Sequence, residues 1–128
     1  MSYYFSKRID STFDEAVARV TEELKKEGFG ILTEIDVKET LKKKLDVDFP
    51  QYKILGACNP PFAYKALQAE SKIGTMLPCN VIVRAMKEGG VEIAAVDPIA
   101  SMQAVENPAL GSIAHEVQAK LKKVIVSL

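Results

Sequence analysis

The chain has 128 residues, 48% of them hydrophobic, and its seventeen basic side chains cancel its seventeen acidic ones. A chain of this length buries about two thirds of its unfolded surface in one core, so a single domain over residues 1–128 is expected without disulfide staples. Zero net charge leaves no field to draw the chain onto DNA, RNA or an anionic membrane, and no apolar run reaches the length that spans a bilayer.

The opening residues, Met1 to Arg8, lack the basic and apolar regions of an export signal, so a cytoplasmic location with reduced thiols is expected. Tyr3, Phe5 and Ile9 share one parity of a first strand, interrupted by Lys7. Ser11, three residues before Asp14, resembles a capping box at a helix start. Phe13, Ala16, Val17, Val20 and Leu24 then recur at helical spacing up to Gly28, which ends the helix. Phe29, Ile31, Thr33, Ile35 and Val37 follow a period of two and read as a second strand.

Val37, Leu41 and Leu45 form the apolar edge of a short helix whose other residues include Lys38, Lys42, Lys43 and Lys44, a charge run of the kind that forms a solvated face. A third strand, Tyr52 to Cys58, leads through Asn59, Pro60 and Pro61 into a short helix carrying Phe62, Ala66 and Leu67. A fourth strand, Cys79 to Met86, turns at Glu88, Gly89 and Gly90 into a fifth, Val91 to Val96, as a hairpin. Asp97–Pro98 and Asn107–Pro108 bracket a short irregular or helical stretch. Leu110, Ile113, Val117, Leu121, Val124 and Leu128 mark the most regular helix. The expected class is α+β, in the order β-α-β-(α)-β-(α)-β-β-α.

Leu32, Leu55, Ala57, Ile82, Met86, Ala94 and Val96 make the second parity of the strands apolar as well. One layer of helices covers only one sheet face, so a second copy of the chain is expected over part of the other, giving a homodimer.

Both cysteines precede asparagine and adjoin proline, in Cys58-Asn59-Pro60-Pro61 and Pro78-Cys79-Asn80. With three asparagines in the chain, fewer than about one shuffled sequence in a thousand would repeat this pair, which points to a shared site. An Asn59 cap with Pro60 in the first helical position sets Cys58 beside helix amides of positive partial charge, a place that suits an anion or a thiolate. Packing alone equally explains buried cysteines, and turn geometry explains the prolines.

These segments, Tyr52 to Pro60, Ile73 to Val83, and Asp97, Pro98 with Met102, resemble the signature segments of the domain of unknown function 302 family. The resemblance implies a small prokaryotic α/β domain similar to the TATA-binding-protein-like folds, often dimeric, with no assigned activity. It also favours a five-stranded, mainly antiparallel sheet with helices on one face. In that order the end of the third strand meets the start of the fourth, and Cys58 faces Cys79; a parallel crossover would separate them by a strand's length.

The expected function is small-molecule or anion binding at Cys58, Asn59, Pro60, Cys79 and Asn80, with a small anion or polar metabolite as ligand. One alternative is a thiol catalyst or redox sensor using Cys58 and Cys79, and another is a structural dimer module. His115, the sole histidine, lies between buried positions of the last helix, and its spacing to the cysteines matches no compact zinc motif. Asp97, Tyr64, Lys65 and Glu70 are candidates by position only. No phosphate loop, dinucleotide fingerprint, nucleophile elbow or paired-histidine motif occurs, so no cofactor or metal is assigned. Nucleic acid is not an expected partner, because fold likeness alone carries no function.

Overall fold

The computed structural model describes residues 2–128 and turns these periodicities into β1 (Tyr4–Ile9), α1 (Phe13–Lys26), β2 (Gly30–Asp36), α2 (Val37–Leu45), β3 (Tyr52–Cys58), α3 (Pro60–Ala69), β4 (Cys79–Ala85), β5 (Val91–Val96), α4 (Pro98–Ser101) and α5 (Ala109–Val126). The strands form one antiparallel sheet in the order β1-β5-β4-β3-β2. This is the α+β arrangement expected from the sequence, with its helices on one face. On the inner face Leu55, Val81, Val83 and Ile93 pack against Ala16, Val20 and Leu24 of α1 and Leu121 and Val124 of α5. Burial of this apolar layer is the main stabilising term. Gly89 and Gly90 both adopt positive φ in the β4–β5 turn, as a two-glycine hairpin requires.

Lys7 breaks the apolar parity of β1 for a structural reason. Its Nζ donates to the carbonyl oxygens of Val126 and Leu128, placing a cation at the negative end of α5. The cap of α1 sits one residue beyond the expected Ser11, because Thr12 accepts the backbone N–H of Glu15 through its hydroxyl. Asp97 caps α4 by accepting from Ile99 N and also receives Gln118 Nε2.

The register of β2 departs from simple alternation. Ile31 pairs with Ala57 but Thr33 pairs with Gly56, so a bulge lies between them. A bulge inserts one residue and reverses the face of everything after it. Phe29 therefore reaches the core, while Ile35 turns to the outer face and stays 47% exposed. Leu55 and Ala57, expected in the second parity, belong to the inner core, whereas Ile82 and Ala94 do face outward and Val96 touches both the outer groove and the core.

Helix α2 buries none of its residues within the chain. Two of its lysines are neutralised locally: Lys42 pairs with Asp46 and Asp48, and Lys43 with Glu39. The run is a solvated face, as its length suggests.

Candidate functional site

Antiparallel pairing of β3 and β4 sets Ala57 opposite Cys79 and Gly56 opposite Asn80. The two Cys-Asn segments thus meet at one end of the sheet. Alternation turns Cys79 into the core and Asn80 out to the opposite face. Cys58, half-buried, ends β3 just before α3.

Beneath this junction lies a cavity of about 50 Å³ whose walls include Phe29, Cys58, Asn59, Cys79, Met102 and Val117. It is bounded by the end of the sheet, α3 and α5, opens partly to the surface, and is almost wholly apolar. The cysteines are free thiols. Burial pushes the Cys79 thiol up to about 11, and the neighbouring Cys58 adds to the effect. Cys79 is therefore a neutral S–H at physiological pH.

Asn59 holds the N-cap position of α3 but makes no capping bond with its side chain. Its Nδ2 instead donates to the carbonyl oxygen of Glu27 at 3.1 Å. Glu27 closes α1, and Gly28 follows at φ 86°. Asn59 thus ties the C-terminal end of α1 to the start of α3, and at 8% exposure it is the one buried polar residue among those described. This corrects the expected capping role: a free carbonyl of another helix competes successfully for the amide.

Pro60 and Pro61 occupy the first positions of α3 and supply no N–H. Two of the donors that an anion would use at a helix start are therefore missing. Pro60 is exposed and stands outside the cavity wall. Of the five residues singled out from the sequence, Cys58, Asn59 and Cys79 share the cavity, Pro60 begins the helix above it, and Asn80 faces a separate groove.

His115 is exposed on α5, while its neighbours Ile113 and Ala114 line the cavity. Tyr64 and Lys65 are exposed on α3, and Glu70 receives a hydrogen bond from Asn107 Nδ2. Among the described residues no cluster of three or more His, Cys, Asp or Glu side chains is arranged to hold a metal. Nor is any helix among them long and apolar enough to cross a membrane. Phe29, Phe62 and Val117 escaped the sequence reading as cavity walls because their apolar spacing carries only the signal of a packed helix or strand.

The fold is similar to the crystal structure of an uncharacterized conserved protein DUF302 from Bacillus stearothermophilus, at a TM-score of 0.90 and 29% identity over 98% of each chain. No curated protein matches the chain. A family model described as Domain of unknown function DUF302 matches residues 5–128, and the chain belongs to that family.

Proposed function

We propose that this chain is a small-molecule-binding domain whose ligand lodges against Cys58, Asn59 and Cys79, with Pro60 shaping the start of the covering helix. The carrying observation is the cavity of about 50 Å³ between the end of the sheet, α3 and α5. A water needs ~10–15 Å³ in comparable terms, so the space suits roughly four heavy atoms. Apolar walls, a neutral Cys79 and two prolines in place of amide donors favour a small neutral ligand, or the apolar end of a larger one, over an anion.

The test is a thermal-shift titration with dimethyl sulfide on the intact protein and on Ala114→Leu, which fills the cavity from α5. The melting temperature of the parent should rise with probe concentration while that of the filled variant stays constant. Constant melting temperatures in both would overturn the reading. The thiol-chemistry alternative would rest on Cys58 alone, since Cys79 is held protonated.

We further propose a homodimer in which a second copy covers α2 and the β2 side of the outer sheet face. Leu32, Leu45, Val47 and Phe49 are exposed there together with Ile35. A nine-residue helix is marginal in water unless it packs against something. Light scattering at micromolar concentration should give twice the chain mass; the mass of a single chain would refute the dimer.

A further inference from the structure

A second concavity lies on the outer face of the sheet, on the side away from α1 and α5. Its volume is about 450 Å³, within the range of about 300–1,000 Å³ that small-molecule sites occupy. The sequence register explains its shape. Asn80, Ile82 and Arg84 alternate along β4, with Ala94 opposite Ile82 and Glu92 opposite Arg84 on β5. The small Ala94 keeps the floor low. Tyr52 stands across from Arg84 on β3, and Tyr4 across from Val96 on β1, so aromatic rings rise at both sides. Tyr3 and Tyr4 pack edge to face, with centroids 5.0 Å apart.

The polar groups are few and placed at the ends. Arg84 Nε donates to Glu92 Oε1 at 2.6 Å, which steadies the guanidinium and leaves its Nη groups as donors. Four residues away, about 13 Å along the strand, the exposed Asn80 offers an amide that both donates and accepts. The groove's Arg84 and Glu92 cancel in charge.

We propose that this groove binds a neutral, planar heteroaromatic ring system with carbonyl and N–H groups at its edges, the chemistry shared by flavin and nucleobase rings. Tyr4 and Tyr52 flank the ring, Asn80 reads its amide-like edge, and Arg84 donates to a carbonyl at the far end. Ile82 and Ala94 form the apolar floor. The site is separate from the cysteine cavity, which opens on the other side of the sheet, and it does not depend on the ligand proposed there.

The composition provides its own reporter. The chain has no tryptophan and four tyrosines, of which Tyr3, Tyr4 and Tyr52 line the groove. In a Tyr64→Phe background, tyrosine emission comes from the groove alone. Titration with riboflavin and with guanosine, each as a separate arm, should give saturable quenching in at least one arm, and Asn80→Ala should weaken that binding about tenfold. Asn80 is exposed, so the variant retains its fold, checked by its melting temperature. Absence of saturable quenching in both arms, or equal affinity in Asn80→Ala, would overturn the proposal. So would conversion of a dimeric parent to single chains by Ile82→Lys in light scattering, because a second copy would then occupy the groove.

Discussion

Replacing Asn59 by aspartate isolates the contact on which the geometry of the site depends. In the native chain Nδ2 donates to Glu27 O at 3.1 Å from a position only 8% exposed. The ionised replacement would set a carboxylate oxygen against that carbonyl in a place poor in water. The lost hydrogen bond costs about 1–3 kcal/mol, and burial of the charge adds to it, so a total near 2–4 kcal/mol is expected at neutral pH. With an unfolding entropy of about 2.1 cal/mol/K per residue, that total lowers the melting temperature of this chain by roughly 7–15 °C. The pH dependence has a definite sign. Burial raises the folded-state pKa of the introduced acid above its unfolded value, so the penalty grows as pH rises from the unfolded pKa through the folded one. Below that window the protonated acid donates to Glu27 O again. Calorimetric melts of wild type, Asn59→Asp and Asn59→Ala at pH 7 and pH 4.5 measure both effects. The aspartate variant should recover toward wild type at the lower pH while the alanine variant keeps its deficit. An aspartate variant as stable as wild type at pH 7 would refute the structural role assigned to Asn59.

Four further outcomes follow from other parts of the molecule. A Cβ added at Gly56 would lie 2.1 Å from Thr33 Oγ1 and 2.7 Å from Pro78 Cγ; Gly56→Ala should cost about 1–3 kcal/mol, with Thr33→Ala restoring only part of it in a denaturation cycle because the proline ring remains. The Cys79 thiol, raised by burial to about 11 from an ordinary 9.0, binds its proton more tightly in the folded state. Its contribution is therefore complete below pH 9 and lost between pH 9 and 11, and the stability advantage of wild type over Cys79→Ala should shrink by on the order of 2 kcal/mol across that window in denaturant titrations. Iodoacetamide at neutral pH should modify Cys58 well before Cys79, as peptide mapping would show, and equal rates would contradict the burial described. Leu45 is 66% exposed on α2; Leu45→Lys should convert the proposed dimer to single chains in light scattering while changing the stability of the isolated chain by less than about 0.5 kcal/mol.

Much of the fold was legible because it follows from periodicity. The inner stripe of α5 from Leu110 to Val124, the glycine pair between β4 and β5, and the alternation of Val81 with Val83 each mark one local structure. The meeting of the two Cys-Asn segments was legible once antiparallel order was assumed. The reversal of Ile35 was hidden, because a bulge leaves the hydrophobic pattern intact and changes only which face it addresses. The partner of Asn59 was hidden too, since local capping chemistry describes a residue and its own helix, while Glu27 lies thirty-two positions away. The separation of Asn80 from the cysteine cavity follows from strand alternation, which sends neighbours to opposite faces even when a motif joins them. The cavity itself is assembled from Phe29, Met102 and Val117 on separate segments, and its volume depends on side-chain packing that no short pattern records.

The most direct test of the ligand-binding account is diffraction from a crystal held under xenon pressure, because xenon enters apolar cavities without needing a polar partner. One strong xenon peak is expected between Cys79, Phe29 and Val117, lost in Ala114→Leu crystals. A filled or collapsed cavity with no peak in the wild-type crystal would contradict it.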